Sequence, residues 1–194
     1  MKIKRLAIHS LALCLAFALP LAACAGSKLI KAQRIASPPS GKALVNFHRP
    51  TAYGGTERFP IFDGTGKMLI DLPGKSEFQL VCDPGEQLFI AWADHVTVVK
   101  ADMAADKTYD IMVDVGMGWM EANIRLMPLS KDDPRRAKLD DFERRERHVW
   151  AMERNKHVID YEAKNQDRVQ QIKKDFIAGE KSDRIGSLSK SDCR

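Results

Sequence analysis

The chain's five histidines are the first residues to test for chemistry. His9 sits in an apolar N-terminal run, which leaves His48, His95, His148 and His157. Zinc sites of the His-Glu-x-x-His kind put two imidazoles one helical turn apart. His148 and His157 do not have that spacing. His48 and His95 fall in strand-like runs, and a zinc or copper pair there would need a third ligand that no nearby residue supplies. There is no Cys-x-x-Cys and no Gly-x-Ser-x-Gly. The neighbouring acids Asp132-Asp133 and Asp140-Asp141 have the residue types of a paired-carboxylate site. Their setting at a helix start and along a helix surface fits capping and solvation better. Gly64-Thr65-Gly66 and Gly116-Met117-Gly118 do not continue into a phosphate-binding pattern and read as a turn and a bulge. The expectation is therefore no catalytic residue, no metal ligand set and no cofactor beyond a covalent lipid.

That lipid is the chemistry of a cysteine. Residues 1–5 are basic, residues 6–19 are almost wholly apolar, and Leu21-Ala22-Ala23-Cys24 follows. A basic start, an apolar run and small residues before a break form a secretory leader, expected over 1–23. The tetrapeptide looks like the lipobox of bacterial lipoproteins. That likeness implies that Leu21, Ala22 and Ala23 are read by the signal peptidase and that the Cys24 thiol is diacylated. Residues 6–25 are also long enough for an uncleaved membrane helix, but His9, Ser10 and Pro20 weaken that reading. The residue after the cysteine is Ala25, not aspartate, and the likeness to diderm lipoproteins then implies sorting to the outer membrane and a periplasm-facing domain. With Cys14 in the leader and Cys24 acylated, Cys82 and Cys193 remain as a candidate disulfide in an oxidising compartment. Cys82 alternates with Phe78 and Leu80 and reads equally as a small core residue.

The charge balance changes once the leader is set aside. The formal net charge is +5, but Lys2, Lys4 and Arg5 lie in the leader. Taking these three from 31 basic residues leaves 28 against 26 acidic ones. A near-neutral mature chain gives no reason to expect nucleic acid as a partner. The expected partners are the membrane, through the anchor, and an envelope protein.

The elements that would position any site follow from pattern. Residues 24–41, ending in Ser37-Pro38-Pro39-Ser40-Gly41, read as a flexible tether. From residue 42 the chain breaks into short alternating runs separated by turn residues such as Asp83-Pro84-Gly85. About eight strands over 42–129 predict a mainly β fold, an antiparallel β-sandwich. Met112, Met117, Trp119, Met120 and Met127 crowd one end of this module, as core or as an adaptable apolar surface. After Pro128, Asp133 before Pro134 predicts a helix start. No glycine or proline interrupts 135–178. Acidic residues precede basic ones by four at Asp140–Arg144, Asp141–Arg145, Glu143–Arg147 and Asp160–Lys164, which predicts one long charged helix over 133–178. The polar residues 179–194 read as a disordered tail.

Four segments carry a family resemblance. They are Lys42-Ala43-Leu44-Val45-Asn46-Phe47-His48-Arg49-Pro50, Asp83-Pro84-Gly85, Lys107-Thr108-Tyr109 and Val115-Gly116-Met117-Gly118-Trp119. In order and spacing the stretch resembles the bacterial lipoproteins of the domain-of-unknown-function family 2846. The resemblance implies a short all-β, lipid-anchored envelope domain and supplies no activity. The expected function is a non-catalytic binding or interaction module, with an envelope hydrolase or a helical spacer as alternatives.

Overall fold

The computed structural model describes residues 27–53, 57–117, 122–144, 148–179 and 185–194. The leader, Leu21, Ala22, Ala23 and Cys24, the residues Trp119 and Met120, and the pairs Asp141–Arg145 and Glu143–Arg147 therefore lie wholly or partly outside the described residues.

Among the described residues the chain forms eleven strands and two α-helices. The strands are β1 (Lys28–Lys31), β2 (Ala43–Arg49), β3 (Phe59–Asp63), β4 (Met68–Leu72), β5 (Ser76–Cys82), β6 (Gly85–Trp92), β7 (Val96–Met103), β8 (Thr108–Met117) and β9 (Ala122–Leu129). Helix α1 (Arg136–Arg144), β10 (His148–Glu153), helix α2 (Lys156–Ile177) and β11 (Ile185–Leu188) follow. Two sheets result, in the orders β1-β10-β5-β2-β8-β9 and β11-β7-β6-β3-β4. The fold is mainly β, but neither sheet is purely antiparallel. Strands β2 and β8, β10 and β5, and β11 and β7 run parallel. Short turns impose antiparallel pairing only on consecutive strands, and each parallel pair joins segments far apart in sequence.

The inner faces of the two sheets share one apolar core. Phe47 lies at its centre, edge-on to Phe89 at 5.1 Å and tilted against Phe78 at 5.9 Å. The outer faces are covered too. Helix α2 lays Val158, Val169 and Ile172 over Phe62, Met68, Ile90 and Trp92 of the five-stranded sheet. Helix α1 lays Leu139 and Phe142 over Met112 and Leu129 of the six-stranded sheet. Burial on both faces explains why all seven residues of β2 are buried. It reads as a nearly continuous apolar run with two polar residues set into its outward face.

The single helix expected over 133–178 does not form. The chain leaves α1 at Arg144, runs as β10, and restarts at Asn155, whose Oδ1 accepts the Val158 N–H at 3.0 Å. Each i,i+4 charge pair adds only a few tenths of a kcal/mol to a helix. Burying Val149 and packing Trp150 and Met152 against the cores outweighs them. The start was legible: the Asp133 carboxylate accepts the Arg135 N–H at 2.8 Å.

The tether and tail are corrected in the same way. Within 24–41, Lys28–Lys31 is an edge strand on β10, and within 179–194, Ile185–Leu188 is an edge strand on β7. A short 3-10 helix, Lys190–Asp192, follows, capped by the Ser189 N–H donating to Asp192 Oδ2 at 2.7 Å. Both segments are polar, and edge strands need few apolar residues because backbone pairing and one inward side chain hold them. Leu188 supplies that side chain in β11.

Residues 42–129 therefore share both sheets and both outer faces with segments from outside that range. A chain truncated after Ser130 loses β10, β11 and both covering helices. Thermal unfolding followed by circular dichroism is expected to show no cooperative transition. A finer probe is Gly186, where an added Cβ would lie 2.5 Å from Pro128 Cδ. Gly186→Ala should destabilise by about 1–3 kcal/mol through overpacking, read as a lower denaturant midpoint at an unchanged slope.

Candidate functional site

Strand alternation sends Ala43, Val45 and Phe47 into the inner core and Asn46 and His48 to the outer face of the six-stranded sheet. The neighbouring strands do the same with Glu77 and Gln79 of β5 and Asp110 of β8. The register sets His48 opposite Glu77 on one side, and Asn46 opposite Gln79 on one side and Asp110 on the other. These polar residues are roofed by α1, by residues near Arg34 and by Arg194. His48, Glu77 and Asp110 are completely buried.

The contacts form a closed electrostatic cluster. Asp110 Oδ1 lies 3.0 Å from His48 Nε2 and accepts from Asn46 Nδ2 at 3.0 Å. Asp110 Oδ2 accepts from Arg136 Nη1 at 2.8 Å and pairs with Arg194 Nε at 3.0 Å. Glu77 Oε2 accepts from Arg34 Nη1 at 2.7 Å and stands 3.7 Å from His48 Nδ1. Glu143 Oε1 accepts from Arg194 Nη2 at 2.9 Å and Arg34 Nη2 at 3.5 Å. Gln79 clamps the N-terminal segment: its Oε1 accepts the Ile35 N–H at 2.7 Å and its Nε2 donates to the Ile35 carbonyl at 3.0 Å. Three guanidinium groups thus face three carboxylates around one imidazole.

The two fully buried acids respond in opposite directions. Burial alone would raise Asp110, but the His48 hydrogen bond and charge, Arg194 and Asn46 outweigh it, and its carboxyl is held well below its ordinary value. Burial dominates at Glu77 and pushes it upward, with Glu143 adding to the rise, while His48 and Arg34 only partly offset this.

His48, Asp110 and Glu143 each offer one ligand atom, and these atoms lie within 4.8 Å of one another. The donor set does not fit a metal. Asp110 Oδ2 and Glu143 Oε1 already receive guanidinium groups, and Asp110 Oδ1 is taken by the Asn46 amide and the His48 ring. A divalent cation would have to displace them amid three positive charges. Nor does the cluster form an open catalytic site, since its imidazole and both acids nearest to it are sealed from solvent. What the arrangement does is clamp. It binds the N-terminal segment, α1 and the C-terminal segment to one face of the sheet.

The other residues singled out by the sequence are dispersed. His148 packs on Trp150, His157 stacks on Tyr161, and His95 lies at a cleft described below. Cys82 and Cys193 are both free thiols, each partly buried against the inner core. They do not pair. Cys82 is on β5, and β2 and β8 stand between it and the segment of Cys193. The Lys107 carbonyl faces β2 by accepting the Leu44 N–H, and the next carbonyl, Thr108, faces away from it and accepts the Arg194 N–H at 3.0 Å. Three strand spacings, about 14 Å, exceed the reach of a disulfide. Burial lifts the Cys82 thiol to about 11. Sequence reasoning noticed His48 but missed Glu77, Asp110, Glu143 and the three arginines. The legible signal was polar residues at alternate positions of otherwise apolar strands.

Where β9 meets the starts of β7 and β11 there is a cleft of about 610 Å³, lined among others by His95, Thr97, Asn123, Arg125, Met127 and Gly186. Thr97 Oγ1 accepts the Leu126 N–H at 3.1 Å, and Asn123 Oδ1 is buried there with no hydrogen-bond partner among the described residues. Among the described residues no helix is long and apolar enough to cross a membrane. No family model, curated protein or solved structure matches the chain.

The acid dependence follows from Asp110. A carboxylate held below its unfolded value stabilises the fold above about pH 4, and that contribution is lost as pH falls towards the depressed folded value. Glu77 acts with the opposite sign: its raised value disfavours the fold as pH rises through it. Asp110→Asn should cost about 3–5 kcal/mol at neutral pH, because the guanidinium groups of Arg136 and Arg194 lose their buried charged partner. Its stability should also fall less steeply below about pH 4. Urea unfolding of both chains across acidic and neutral pH tests this, and parallel curves would rule out Asp110 as the acid-sensitive group.

Proposed function

We propose that the chain is a lipid-anchored cell-envelope protein whose β-domain is a non-catalytic binding or interaction module. The observation that carries this reading is the leader ending in Leu21-Ala22-Ala23-Cys24. On this reading the leader is cleaved, Cys24 carries the lipid, and the domain faces the periplasm from the outer membrane, with an envelope protein rather than nucleic acid as its partner. We read the paired sheets as an elaborated β-sandwich of the kind implied by the resemblance to family 2846. The closed charge cluster supports a non-catalytic role, because the most reactive constellation among the described residues is occupied by its own counter-charges. The cleft beside β9 supports a binding role: its volume is that of ordinary ligand sites. The spacer alternative loses its basis, since the long helix it required is two helices and a strand.

Cys24→Ser should abolish incorporation of a fatty-acid analogue and leave the leader uncleaved. Metabolic labelling with immunoprecipitation reads both, and continued labelling of the variant would overturn the lipoprotein reading.

A further inference from the structure

The N-terminal segment joins the folded body much earlier than a tethered domain would. Ser27 is buried, its Oγ donates to Asp71 Oδ2 at 2.5 Å, and its carbonyl accepts from Arg58 Nη1 at 3.0 Å. Strand β1 begins at the next residue, and Lys28 pairs with Glu153 at 2.7 Å. Only Ala25 and Gly26 separate Ser27 from Cys24. At about 3.3–3.6 Å per residue, Cys24 lies within roughly 11 Å of Ser27. The headgroup layer of one leaflet is itself on the order of 5–8 Å thick. A lipid on Cys24 therefore leaves no length for a spacer.

We propose that the end of the molecule around Ser27 is a membrane-facing surface, and that the domain rests directly on the bilayer that holds its own anchor. This deepens the lipoprotein reading and rests on it. The surface is built on Arg49, a fully buried guanidinium under the loop that follows β2. Arg49 Nη1 donates to the carbonyls of Glu57 and Leu72, and Nη2 to that of Tyr53, each at 2.8 Å. Its guanidinium also stands 5.0 Å from the centroid of the Phe59 ring. The Lys75 N–H donates to the Thr51 carbonyl at 3.1 Å. Leu72, the carbonyl partner of Arg49, follows Asp71, the partner of Ser27, so the loop and the entry point share one rim.

Exposed on that rim are Tyr53, 43% accessible, and the basic side chains of Lys28, Arg58 and Lys75. An amphipathic aromatic flanked by lysine and arginine suits the headgroup zone. Glu57 and Glu153 offset much of the charge, so the anchor supplies the affinity and the rim sets the orientation. Helix α2 starts close by, three residues after Glu153. Its 22 residues extend about 33 Å and place Ile177, which is exposed, at the far end.

The test uses the full-length, lipidated protein in vesicles of phosphatidylethanolamine and phosphatidylglycerol. A photo-crosslinking amino acid is placed at Tyr53 or at Ile177, and fatty-acid labelling of Cys24 is measured on the same samples. The expected result is lipid adducts at Tyr53 and none at Ile177. Inserting about ten Gly/Ser residues between Gly26 and Ser27 adds a coil of roughly 17 Å. That variant should keep its fatty-acid label and lose most of the Tyr53 adducts. Labelled protein with equal adducts at the two sites, or adducts unchanged by the insertion, overturns the membrane-facing surface while leaving the lipoprotein reading intact. Absence of the fatty-acid label overturns the lipoprotein reading itself.

Discussion

The rest of the six-stranded sheet depends on the charge balance at Asp110. One carboxylate meets an imidazole, an amide and two guanidinium groups, and none of its partners is close to it in sequence. Taking ionised groups out of water is costly, and only dense, well-directed partners offset it. The cluster therefore works as an all-or-none junction. With Arg34, Arg136 and Arg194 in place the charges are compensated; with any one missing, a carboxylate is left buried and short of a partner.

That junction explains why the ends of the chain are structured. Strands β1 and β11 are edge segments of four residues each, with two aliphatic side chains apiece. They persist because neighbouring residues are fastened elsewhere: Ser27 to Asp71 and Arg58, Ile35 to Gln79, Arg194 to Asp110 and Glu143. Fixing both ends through contacts remote in sequence gives the chain a high proportion of non-local pairings, a topology that folds slowly. It also leaves little slack between the folded body and whatever precedes Ser27.

Function is constrained by what is sealed and what is open. The buried imidazole and acids hold segments together, whereas the cleft beside β9 and the rim around Tyr53 face outward. The two outer faces of the sheets, which are common binding surfaces in open β-folds, are taken by α1 and α2. Contacts with other molecules are thereby directed to the edges and ends of the sheets.

By itself the sequence determined the strand runs from Ala43 to Leu129, because period-two alternation and turn residues act over a few neighbours. It likewise determined the helix start at Asp133, which is equally local. It placed His48 in a strand, and the polar residues at alternate positions of β2, β5 and β8 were there to be read. Only the tertiary structure decided that these residues meet, because strand order and register join segments dozens of residues apart. Only the tertiary structure broke the charged stretch after Asp133 into helix, strand and helix. Local ion pairing favours one helix, and the apolar contacts that outweigh it belong to sheets formed elsewhere in the chain. The polar ends became strands for the same reason: their stability comes from partners, not from composition.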